Sequence, residues 1–194
     1  MEILDILNNL GNHKEEIAFA GFCLTSGIAA TFASIVPSSF IFSELAKKNS
    51  KKGEEKTAIL MSYQNPIEKF RGSVGIGPIA YYFSKKGGVK IINKAKRKDL
   101  EEALSNKNYE NIIINGHGYT DAWLDSNGLL VDYSGLKTYP KEIIMQLTCG
   151  DDCGDSLVDL CAKNKEESYY PIDKRDALKD YFLGMKLLFS NKKQ

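Results

Sequence analysis

The apolar positions of this 194-residue chain fall into short runs that stop at glycine. Asn111-Ile-Ile-Ile-Asn115 runs into Gly116-His117-Gly118, and Glu142-Ile-Ile-Met-Gln-Leu-Thr148 runs into Cys149-Gly150. A β-branched apolar run bounded by turn residues reads as a central strand buried on both faces of a parallel sheet. Thr57–Tyr63 and Val89–Asn93 are two further strands of that kind. Helical periodicity covers Ser73–Ser84, stopping before Gly87-Gly88, and Lys96–Ser105, whose basic run Lys94–Lys98 is a solvated face. It returns over Asp155–Ala162 and over Asp173–Phe189, where Leu178, Tyr181, Phe182, Met185, Leu188 and Phe189 share a face. Gln64–Gly72 reads as a loop, Tyr169-Tyr170-Pro171 as a loop or short strand. Ala122–Tyr133 reads as a hairpin turning at Asp125-Ser-Asn127-Gly128. Strands alternating with helices predict a three-layer α/β domain over residues 57–194 with a mostly parallel central sheet. The 112–114 and 143–147 strands should be adjacent and parallel.

The N-terminal pattern is different. Residues 1–16 place Ile3, Leu4, Ile6, Leu7 and Leu10 at helical spacing, as a short amphipathic segment that lies on a membrane surface or packs on the protein. No charged residue occurs from Ile17 to Ser43. About 20 apolar residues suffice to span a bilayer as a helix, so residues 17–43 are expected to be a transmembrane segment, the alternative being a buried core helix. Lys14 is the single basic residue before it, whereas Lys47, Lys48, Lys51, Lys52 and Lys56 follow. The positive-inside rule then puts the C-terminal domain in the cytoplasm. Residues 44–56 read as a polar linker.

A net charge of +1 gives no case for nucleic acid. Cys23, Cys149, Cys153 and Cys161 have no paired spacing, which fits reduced thiols in a cytosolic compartment. His13 lies in a polar segment and reads as a surface residue. Gly75-Ile-Gly77-Pro-Ile-Ala80 has the glycines of a dinucleotide fingerprint, but the loop before it is too long and no acid ends the next strand. Cys149, Cys153, Cys161 and His117 lack the spacing of a compact zinc module. Neither cofactor nor metal is expected.

His117 and Cys149 carry the chemistry. Two neighbouring parallel strands ending in histidine and cysteine would put an imidazole beside a thiol, the minimum equipment for a cysteine nucleophile. The attacking species is the thiolate, scarce at neutral pH when the thiol titrates near its usual value of about 8.5, and an imidazole can take the proton. Gly118 and Gly150 could present backbone N–H groups to an oxyanion. Taken singly, Cys149 reads as a small buried hydrophobe and His117 as a turn residue; the pairing favours the nucleophile. Asp151, Asp152 and Asp155 form an acidic cluster beside it, suited to a basic substrate side chain or to loop and N-cap roles.

A strand ending in His-Gly followed by a strand ending in Cys-Gly resembles the caspase-like cysteine peptidases, which include caspases, metacaspases, clostripain, gingipain and the CHAT domains. The resemblance covers roughly residues 57–162. It implies the caspase–haemoglobinase α/β fold, a dyad at His117 and Cys149, and an oxyanion contribution from Gly118. It also implies that an acidic pocket would receive an Arg or Lys side chain. The chain departs from the family in separating the two dyad residues by only 31 residues, 118–148, and in ending with a helix where the family has further strands. Two functions are therefore expected as alternatives. One is a membrane-anchored cysteine peptidase acting on peptide or protein substrates, and the other a catalytically silent caspase-like module that binds or scaffolds at a membrane.

Overall fold

A computed structural model describes residues 29–150, 154–169 and 177–190. Four parallel strands form the central sheet: β1 (Thr57–Met61), β2 (Val89–Asn93), β3 (Asn111–Asn115) and β6 (Ile143–Leu147), in the order β2-β1-β3-β6. The 112–114 and 143–147 strands are adjacent and parallel, with Ile113 opposite Met145 and Asn115 opposite Leu147. Every residue of β1, β3 and β6 is buried, as their unbroken apolar runs require. β2 is the open edge and exposes Lys90. The free edge of β6 is closed by Tyr169, which donates its N–H to Ile144 O and accepts from Gln146 N. The pair β4 (Ala122–Leu124) and β5 (Leu130–Asp132) makes the expected antiparallel hairpin. Its turn is held by the Asp125 carboxylate, which accepts from Asn127 N and Leu129 N.

Helices cover both faces. α1 (Ala29–Asn49), α2 (Pro66–Ser84) and α5 (Ala177–Ser190) lie on one; α3 (Arg97–Ser105), α4 (Leu157–Cys161) and the hairpin lie on the other. The chain moves from β1 outward to β2 through α2, then back past β1 to β3 through α3. Right-handed crossovers taken in opposite directions put the two helices on opposite faces. The direction of winding therefore switches between β1 and β3.

Two elements differ from the sequence reading. Residues 64–72 are not a loop, because α2 begins at Pro66. Asn65 caps it by accepting from Glu68 N at 3.0 Å, and proline at the first helical position has no N–H to leave unpaired. The Gly75–Ala80 segment is the buried middle of that helix. A Cβ on Gly77 would come within 2.3 Å of Ser39 O and Oγ, so this glycine serves the close approach of α1 to α2 rather than a phosphate. Pro78 cannot bond back to Val74, and the Ser39 hydroxyl takes up that freed carbonyl at 2.7 Å.

The second difference concerns where the N-terminal run ends. Among the described residues no helix is long and apolar enough to cross a membrane. Residues 1–16 and 17–28 lie outside the described residues. Those from Ala29 on belong to α1, which continues past Ser43 to Asn49. Its Ile35, Val36 and Phe40 pack in a buried cluster with Phe70, Val74 and Tyr181, and Ala46 joins the core under the sheet.

Candidate functional site

In open parallel sheets, ligands bind beyond the carboxyl ends of the strands where the winding direction switches. Here that place is the β1–β3 crevice. The two strands stay bonded past their ends through Ser62 N to Asn115 O at 2.9 Å. Gly116 follows with φ +149, and a Cβ there would lie 2.1 Å from Ser62 Oγ. Only glycine fits, and the chain can then turn to present His117.

His117 and Cys149 each stand two residues beyond paired strand ends, Asn115 and Leu147. The ladder runs on through Gly116 N to Leu147 O at 3.3 Å. The two residues thus leave neighbouring strands, about 4.8 Å apart in any sheet, at the same level. Cys149 is half-buried. The His117 side chain is 56% exposed, and its Nε2 lies 3.5 Å from Glu68 Oε1. The imidazole faces this carboxylate and makes no hydrogen bond to the Cys149 thiol, although neither side chain is closed off by the core.

Gly118 is buried and forms an antiparallel bridge with Trp123. The bonds closing it run from Tyr119 N to Ala122 O and from Leu124 N to His117 O. In such a pair the bonded groups belong to the neighbours, so Gly118 turns its own N–H away from the hairpin. A Cβ at Gly118 would meet Ala122 O at 2.5 Å, which explains the absence of a side chain beside the histidine. Gly150 is half-buried directly after Cys149. Asp151 and Asp152 lie outside the described residues. Asp155 is exposed, and it follows Gly154, against which the Asp121 carboxylate packs.

Two residues escape the sequence reading. Gln146, fully buried in β6, donates through Nε2 to Tyr119 O and Thr120 O, both at 2.9 Å. Its Oε1 accepts from Leu157 N at 3.1 Å. One side chain thus ties the loop after His117 to the helix after Cys149. The other is Glu68, masked by its place in an apparent loop; the Asn-Pro-x-Glu start of a helix was the signal that could have found it.

Cys161 is the contrasting thiol. It is buried in the core, donates to Leu157 O, and is pushed up to about 11 by burial. The nearby Lys141 ammonium acts weakly in the other direction. It is a packing cysteine.

No protein-family model matches this chain, and no curated protein matches it by sequence. The functional reading therefore rests on the fold and on the geometry around His117 and Cys149.

Proposed function

We propose that the domain is a three-layer, caspase-like cysteine peptidase with Cys149 as nucleophile and His117 as its proton acceptor and donor. The observation that carries this reading is the common level of the two residues on adjacent parallel strands, beside the switch in winding. The Cys149 thiolate attacks a peptide carbonyl while His117 takes the thiol proton. The Gly118 and Gly150 N–H groups receive the oxyanion. Collapse of the adduct breaks the C–N bond, with His117 protonating the leaving amine. Water, deprotonated by His117, then cleaves the thioester, releasing the acid and the free thiol. Asp155, next to Gly154 in the loop after Cys149, and Asp121, whose carboxylate reaches Gly154 from the loop after His117, support a preference for a basic residue before the scissile bond. Asp151 and Asp152 extend that acidic run in sequence.

The charge-free run 17–43 supports attachment to a membrane with the domain on the lysine-rich, cytoplasmic side. Ile35, Val36 and Phe40 are engaged in the core, so lipid contact falls to the part of the run before them.

The alternative, a silent binding module, is favoured by one observation: the imidazole contacts Glu68 rather than the thiol. The deciding experiment is hydrolysis of a peptide library by the full chain in detergent or vesicles, beside a Cys149→Ala control. Cleavage after Lys or Arg that is lost in the control sustains the peptidase. Equal background from both proteins sinks it and leaves the binding module.

A further inference from the structure

We propose that Glu68 is the positioning residue of His117, holding the imidazole so that Nδ1 is the nitrogen that serves Cys149; this rests on the peptidase reading above. Glu68 is the third residue of α2, and its carboxylate is fixed twice over. Oε2 accepts from Gln64 N at 2.8 Å, and Oε1 accepts from Asn65 Nδ2 at 2.6 Å. The side chain is 24% exposed, so the carboxylate is neither free in water nor free to swing. His117 Nε2 reaches the same Oε1 at 3.5 Å, across the crevice between β1 and β3. On the other side, the His117 carbonyl is held by Leu124 N at 2.9 Å. The His117 backbone is thus fixed by a hydrogen bond, and the far ring nitrogen lies within ion-pair range of a carboxylate that is itself held.

The tautomer follows from donor inventory. A carboxylate only accepts, so the ring nitrogen facing it carries the proton. With the proton on Nε2, the lone pair is on Nδ1, the ring nitrogen turned away from Glu68. That is the form needed to take a proton from Cys149, and once the ring is doubly protonated Glu68 stabilises the resulting imidazolium. Apo contacts of this kind tighten when substrate fills the cleft. The carboxylate touches neither the substrate nor the reacting sulfur, and acts through His117.

The test separates this role from the helix cap. The cap itself is the Asn65 side chain accepting from the Glu68 backbone N–H, so Glu68→Gln removes the charge while leaving α2 capped. The expected result is a kcat about 10- to 100-fold lower, the loss typical when the carboxylate behind a metal-bound histidine is removed. KM stays within about twofold, the melting temperature is unchanged, and Glu68→Asp partly restores kcat. Nitrogen-15 spectra supply a readout that needs no activity. His13 and His117 are the only histidines, so His117 can be assigned by His13→Gln. It should be the Nε2–H tautomer in the wild type and a mixture in Glu68→Ala. A kcat loss that merely tracks a lower melting temperature, or a tautomer indifferent to Glu68, overturns the proposal. A wild-type chain that shows the Glu68-dependent tautomer yet hydrolyses nothing retains the contact and sinks the peptidase reading instead.

Discussion

The two ends of the central sheet look alike on a list of residues and behave differently in space. At the amino ends of β1, β2 and β3 the chain gathers glycines, lysines and acids around an open depression of about 640 Å³, lined among others by Asn49, Lys51, Glu54, Lys56 and Gly88. Its charges are satisfied locally: Lys56 pairs with Glu110 at 2.9 Å, both about half exposed, and Lys51 lies 3.9 Å from Glu54. Exposed pairs of this kind contribute at most about 1 kcal/mol. At the carboxyl ends the polar groups are held by anchors. Gln146 joins two loops, the Glu68 cap reaches His117, and a Gly116 without Cβ lets the chain pass Ser62. Preorganised groups on neighbouring strand ends set this end apart.

That contrast can be broken in order of expected effect. Replacing Cys149 or His117 by alanine should lower peptide hydrolysis at least about 10³-fold, with the double variant little worse than either single one, because the pair acts as a unit. Lys56→Ala and Glu110→Ala at the other end should leave turnover within about twofold. Turnover assays of all five variants decide the point, and loss of activity in the amino-end variants would dissolve the distinction between the ends.

Site-resolved alkylation compares the two described thiols. Cys149, half-buried at a strand end, should react with iodoacetamide at least about 100-fold faster than Cys161, which is buried and held mostly as thiol. Peptide mass mapping after timed quenching reads both rates, and comparable rates would argue against any special environment at Cys149.

Stability should follow the same geography. Gln146→Leu removes the amide that bonds the Tyr119 and Thr120 carbonyls and the Leu157 N–H, costing about 2–4 kcal/mol in urea unfolding, whereas Lys56→Ala should cost under about 1 kcal/mol. A mild Gln146→Leu would mean that water replaces the anchor and that the two loops are not clamped.

The smallest effect is alkaline. Cys161 titrates near 11 in the fold against 9.0 ordinarily. A thiol raised in this way contributes stability fully below about pH 9, and that contribution is lost as pH rises through 11. Burial lowers Lys141, whose Nζ donates to Asn106 O and Tyr109 O. Its linkage runs the opposite way in the same window, so the wild type shows only the remainder. Cys161→Ala should therefore flatten the alkaline loss by up to about 2 kcal/mol between pH 9 and 11. Identical slopes in the two proteins would remove the argument.

The isoleucine run of β3 and the Ile143–Leu147 run of β6 were legible because a strand buried on both faces must be apolar throughout, and that pattern is local. The β4–β5 hairpin was legible for the same reason, its turn residues being adjacent in the chain. So was the placing of His117 and Cys149 just past the ends of adjacent strands, since each follows its apolar run within two residues. The start of α2 was misread because apolar spacing there is poor; the cap at Asn65 and Glu68, not periodicity, begins the helix. The sequence read Gly77 as a helix residue; why it is glycine became visible only with Ser39 packed on it. Glu68 beside His117, Gln146 across two loops, and Ser39 on the Val74 carbonyl all join residues far apart in the chain. The amino-acid order alone determined which segments are strands and which residues end them. Only the packing of the layers decided which distant polar groups meet, because a buried polar group must find its partner wherever the fold brings one within reach.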